Sequence, residues 1–85
     1  MSVAKGEIVE RVVGYVVREI VDNPDQVEVT IIEQGPEDVL AEVRTAKGDM
    51  GRVIGRRGRV ARAIRAVAGA AADEEGVRAE VEFVD

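Results

Sequence analysis

The chain has 85 residues, 46% of them apolar and 34% charged, with a formal net charge of −5 and neither cysteine nor histidine. A chain of this length fits a single domain that buries roughly 60 to 65% of its unfolded surface, enough for one modest core. The missing residue types remove disulfides, thiolate nucleophiles, imidazole bases and the usual zinc or haem ligands, and no apolar run approaches the roughly 20 residues that cross a bilayer. No cofactor, metal or catalytic residue is expected. Glu7 interrupts the N-terminal stretch before any signal-type apolar segment develops, so a cytoplasmic protein is expected.

In chain order, Ile8, Val9, Val12, Val13, Val16, Val17, Ile20 and Val21 recur as adjacent pairs every four residues, the stripe of an amphipathic helix. Valine favours strand, but strict alternation fails throughout the segment, so period outweighs propensity. Asn23-Pro24 stops this helix. Val27, Val29 and Ile31 then alternate with polar residues, Gly35-Pro36-Glu37-Asp38 makes a turn, and Val39, Ala41 and Val43 alternate again, which predicts a β-hairpin. Lys47-Gly48-Asp49 breaks the second strand, and Asp49 is placed to cap a short helix that carries Met50, Val53 and Ile54 and ends at Gly55. A longer helix is expected from Arg59 to Asp73, with Val60, Ile64, Val67, Ala68 and Ala71 on its apolar face, and Gly76 as its stop. Val77, Ala79, Val81 and Phe83 alternate with charged residues as a last strand. The order α-β-β-α-α-β predicts an α+β fold, a three-stranded sheet with three helices on one face and water on the other.

The charge is unevenly placed. Arg44, Lys47, Arg52, Arg56, Arg57, Arg59, Arg62 and Arg65 face one acid, Asp49, so residues 44–65 carry +7 and the remainder −12. Screening limits charge interactions to about 8 Å at physiological salt, so a ligand on this stretch responds to the local field. Glu37-Asp38 and Asp73-Glu74-Glu75 read as a solvated turn and helix end, because their spacing defines no metal cage. Ala63, Ala66, Gly69, Ala70 and Ala72 give the last helix a small-sided surface, suited equally to a dimer interface or to close packing within the chain.

At the centre of the basic stretch, Val53-Ile54 precede Gly55-Arg56-Arg57-Gly58, which leads into the next helix through Arg59, Val60, Ala61, Arg62 and Ile64. An apolar pair, a Gly-x-x-Gly turn and a helix with spaced aliphatics resemble the KH domain, and the element order is that of its type II form. The likeness covers essentially the whole chain, expected to be one KH domain over residues 1–85, and is similar to the small bacterial KhpA (YlqC-type) RNA-binding family. It departs at Ala61, where many KH domains carry a larger aliphatic residue. The resemblance implies a non-catalytic protein that holds single-stranded RNA and serves as an RNA chaperone or post-transcriptional regulator. It also implies self-association as a homodimer, or partnership with a larger KH-containing RNA-binding protein.

The residues give the same reading by their own chemistry. Without a Cβ at Gly55 and Gly58 a sugar-phosphate chain approaches the backbone, the helix start at Arg59 attracts phosphate, and Arg56 and Arg57 add charge-assisted bonds. Bases then lie on a floor of Ile54, Val60, Ala61 and Ile64 against a strand edge, with Arg62 and Arg65 either in contact or solvated. Tyr15 and Phe83 are the only aromatic residues, which disfavours a stacking platform. The rival reading is a protein-interaction module whose helical pair docks a partner chain, its arginines paired with acidic residues.

Overall fold

The computed structural model describes residues 4–84. Its elements run α1 (Glu7–Ile20), β1 (Glu28–Gly35), β2 (Asp38–Arg44), α2 (Met50–Ile54), α3 (Arg59–Glu75) and β3 (Arg78–Val84), the α+β order expected. Single 3-10 turns lie at Pro24–Gln26, Lys47–Asp49 and Arg56–Gly58.

In α1 the valine pairs divide by depth: Val9, Val13 and Val17 are 0% exposed, whereas Ile8, Val12 and Val16 are half-buried. Each fully buried valine contributes about 1.5 kcal/mol or more, which exceeds the few tenths by which valine disfavours helix. The hairpin pairs antiparallel, with Val29 opposite Val43 and Ile31 opposite Ala41, and a bulge falls between Glu33 and Gly35. β3 joins the other side of β2 in parallel, with Ala41 opposite Val81 and Val43 opposite Phe83, so the sheet order is β1-β2-β3. Parallel neighbours need a long crossover, and α2 and α3 supply it. Val39, Ala41, Val43 and Val81 turn into the core beneath the helices, while Thr30, Ile32, Glu80 and Glu82 lie exposed on the opposite face.

The buried face of α3 is rotated from the expected one. Ala61, Ile64, Ala68, Ala71 and Ala72 are buried, and Val60 and Val67 are only half-buried. Alanines form most of that face, and α1 and α3 pack on each other across it.

Three carboxylates read as surface groups or as a local cap tie distant parts of the chain together. Glu75, expected to be solvated, accepts the main-chain N–H groups of Gly6 at 2.8 Å and Val9 at 3.0 Å, and so caps the start of α1 from the end of α3. Asp38 accepts Arg78 Nε at 2.9 Å and Nη2 at 3.3 Å, while the Arg78 N–H donates to the Glu37 carbonyl at 2.7 Å, fastening β3 to the hairpin turn. The Arg78 hydrogen bond outweighs burial and holds the Asp38 carboxyl below the ordinary aspartate value.

Asp49 stands at the start of α2 but makes no side-chain bond to that helix, contrary to its expected capping role. It is 2% exposed, and its carboxylate accepts the N–H of Asp22 at 3.3 Å, the N–H of Asn23 at 3.0 Å and Asn23 Nδ2 at 3.1 Å. Burial pushes this carboxyl up, but the Asn23 and Asp22 hydrogen bonds and the Arg52 charge together hold it below the ordinary value of 3.8. The start of α2 is thereby fixed to the segment that follows α1.

Two outcomes are expected from thermal unfolding. Glu75→Ala leaves two N–H groups at the start of α1 uncapped and costs about 1 kcal/mol, a fall in Tm of roughly 4 to 8 °C. For Asp49 the native value lies below the unfolded one, so its stabilisation is complete above that unfolded value and is lost as pH falls through the native value. Asp49→Asn is therefore less stable than the parent at neutral pH, and the gap closes as the solution is acidified below about 3.8. A gap that stays constant with pH would assign the loss to packing.

Candidate nucleic-acid interface

α2 is held at three points: Val53 is 0% exposed in the core, Asp49 is bonded to Asp22 and Asn23, and Arg52 pairs with Asp22 at 3.3 Å. The turn that leaves it is fixed with it. Gly55 has φ 74° and ψ 172°, a backbone region open essentially to glycine alone. A Cβ on Gly55 would also lie 2.9 Å from Val60 Cβ and 3.0 Å from the Val60 nitrogen. The space that glycine leaves is therefore filled from within by Val60.

Gly58 differs. It is left-handed at φ 71°, but a Cβ there would meet nothing within 4 Å, so the bare backbone faces open space. The sequence assigned one role to both glycines, and the structure gives backbone exposure to Gly58 and packing to Gly55. Arg57 is the one non-glycine residue with positive φ among the described residues, at 58°, a left-handed conformation that costs about 1 kcal/mol outside glycine. The Gly58 N–H returns to the Gly55 carbonyl at 3.1 Å and closes the turn. No side chain caps α3 at Gly58, so the positive end of its dipole faces the turn.

Arg56, Arg57, Arg59 and Arg62 are exposed around this turn, and none forms an ion pair among the described residues. Arg52 and Arg65 are engaged elsewhere, Arg52 with Asp22 and Arg65 with its guanidinium carbon 5.3 Å from the centre of the Phe83 ring. That contact, worth about 0.5 to 1 kcal/mol at an exposed site, joins α3 to the outer strand. Beside it a groove of about 550 Å³ at the β3 edge is lined by Leu40, Ile54, Arg65, Ala79, Val81 and Phe83, with the acids Glu80 and Glu82 at its border.

Two residues of the expected floor lie deep: Ala61 is 3% exposed and Ile64 1% exposed, so both are core residues. Their rotation inward follows from the alanine face of α3. Ile54, Gly55, Gly58 and Val60 are half-buried and remain accessible, and the exposed arginines Arg56, Arg57, Arg59 and Arg62 neighbour them along the chain. The pairing of Arg65 with Phe83 was not foreseen, although the alternation in β3 had placed Phe83 on the helix side of the sheet.

Residues 10–83 match the protein family described as KhpA/KhpB, KH domain. The chain belongs to this family. It is 40% identical over 73 residues to the RNA-binding protein KhpA of Borreliella burgdorferi, covering 86% of this chain and 88% of that one. It is 43% identical over 79 residues to the RNA-binding protein KhpA of Caldanaerobacter subterraneus subsp. tengcongensis, covering 93% and 99%. The RNA-binding protein KhpA of Leifsonia xyli subsp. xyli is 46% identical over 67 residues, covering 79% and 87%. Membership accords with the mixed sheet and the three-helix layer of the fold. No helix among the described residues is long and apolar enough to cross a membrane.

The two glycines should separate in denaturant unfolding. Gly58→Ala is expected to cost about 1 kcal/mol, the left-handed penalty alone. Gly55→Ala should cost clearly more, because it adds a collision with Val60 to an unfavourable backbone region. Equal losses would show that Val60 moves aside freely.

Proposed function

We propose that this protein binds single-stranded RNA, with phosphates at the Gly55–Gly58 turn and bases along the groove between α3 and β3. The observation that carries this reading is the group of four exposed arginines, Arg56, Arg57, Arg59 and Arg62, unpaired among the described residues and set around the open backbone of Gly58. The uncapped start of α3 supplies partial positive charge at the same place. The relatives' shared description as RNA-binding proteins supports the same ligand.

In this reading Arg56 and Arg57 bond phosphate oxygens, Gly58 lets the sugar-phosphate chain approach the backbone, and Arg59 and Arg62 extend the positive track along α3. Ile54 and Val60 give the bases an apolar contact. Ala61 and Ile64 act from below, by holding α3 against the core. The edge of β3 reads base edges through its main-chain groups. A narrow groove with one half-buried aromatic, Phe83, suits unpaired nucleotides better than an A-form duplex.

The chain acts as a non-catalytic RNA chaperone or post-transcriptional regulator over residues 1–85, as a single type II KH domain in the cytoplasm. Neutralising about four phosphates gives a log-log salt slope near −3, and one site of this size binds in the micromolar range, about −8 kcal/mol. Useful occupancy then draws on a second module, a homodimer or a larger KH-containing RNA-binding protein, through effective concentration.

The charge reversal Arg56→Asp with Arg57→Asp is expected to abolish RNA binding while circular dichroism remains that of the parent, since both side chains are exposed. Parent-like affinity in the folded double variant would remove the turn from the interface. Unpaired oligonucleotides should also compete better than duplex of equal length, and equal competition would indicate undirected electrostatics.

A further inference from the structure

We propose that the free edge of β1 is a docking site for an extended basic segment of a partner protein, which adds to the sheet as a fourth strand beside Tyr15. The order β1-β2-β3 leaves one side of β1 unpaired, and alternate residues between Glu28 and Gly35 turn their N–H and C=O groups away from β2. A strand edge of this kind is the template on which extended peptides are bound by main-chain hydrogen bonds.

Side chains hold the two ends of this edge. Arg18 Nη2 donates to the Val27 carbonyl at 3.5 Å before the strand, and Lys5 Nζ donates to the carbonyls of Gly35 and Pro36 after it. Between these ends α1 and β1 frame a groove of about 1290 Å³. Half-buried Val29 and Ile31 lie along it, and Tyr15 stands at its border with 67% of its surface exposed. Tyrosine offers a large, stiff contact surface with a polar tip, suited to packing against a partner segment.

Charge selects the occupant. Within this groove Glu7 is paired with Arg11 at 2.8 Å and Glu33 with Lys5 at 3.6 Å. Glu10, Glu19 and Glu28 line it with no ion pair among the described residues. Arg18 also lines the groove and offsets one of these charges, so five carboxylates against three cations leave a net −2, which repels a nucleic acid and attracts lysine and arginine. Side chains of a strand alternate between its two faces, so the fitting segment carries apolar residues toward Tyr15, Val29 and Ile31 and basic residues toward Glu28. Further basic residues at its ends meet Glu10 and Glu19. β1 and β3 are opposite edges of the sheet, so this surface leaves the groove at β3 open to a second ligand.

The test uses the intact protein and a capped peptide of five Lys-Val repeats, with a Glu-Val peptide as control. Amide spectra and hydrogen exchange should show saturable shifts and slowed exchange at residues 28–34 with the basic peptide and none with the acidic one. Tyr15→Ala, and separately Glu10→Lys with Glu28→Lys, should each weaken the peptide by about tenfold or more, read as the ratio of dissociation constants. Tyr15→Ala, which leaves the charge unchanged, should not alter affinity for unpaired RNA, and this separates the surface from the RNA reading. The proposal is overturned if residues 28–34 stay unmoved up to millimolar peptide, if the shifts fall on the open sheet face, or if both peptides bind alike. Protection of 28–34 that rises with protein concentration alone would give the edge to a second copy of this chain and equally overturn it.

Discussion

Val60 fills the volume that a side chain on Gly55 would occupy, and this contact sets how the chain passes from α2 into α3. With φ 74° and ψ 172° at Gly55 the chain leaves helical geometry, and the turn through Gly58 carries it into α3. The fixity of α2 makes that turn effective. Val53 in the core and the Asp49 bonds to Asp22 and Asn23 anchor the short helix. A turn carrying positive charge is thus built onto a well-anchored helix, and the left-handed backbone of Arg57 is a conformational cost borne at the turn proposed to meet the RNA.

The acidic excess then acquires a spatial meaning. Exposed arginines without internal partners gather at the turn and the first part of α3, whereas the open face of the sheet presents Glu80 and Glu82 and the β1 edge presents Glu28. The proposed RNA contact is therefore local to the arginine turn and opposite in sign to the net charge of the chain. Several ion pairs serve a different purpose, that of joining elements. Arg52 ties α2 to the segment that follows α1, and Arg78 ties β3 to the hairpin, so these arginines are spent on internal contacts.

Glu75 shows how position along the chain hides a role. Its carboxylate bonds an N–H group 69 residues away, at the start of the first helix. Nothing in the local pattern Asp73-Glu74-Glu75 distinguishes a capping acid from a solvated one. Ala61 is similar: it departs from the larger aliphatic residue that many KH domains carry, and in this fold it serves the close packing of α3 on the core, where it is 3% exposed.

The sequence by itself determined the element order, the helical nature of the valine-rich first segment, the hairpin, the glycine turn and the concentration of arginine beside it. These are local properties, set by side-chain period, by turn chemistry and by what a backbone without Cβ can adopt. Only the tertiary structure decided that β3 runs parallel to β2, that Gly55 packs while Gly58 stays open, that Ala61 and Ile64 lie below the groove, and which carboxylates and arginines meet. Those outcomes depend on distances across the core between residues far apart in the chain, and packing, not the order of residues, fixes such distances.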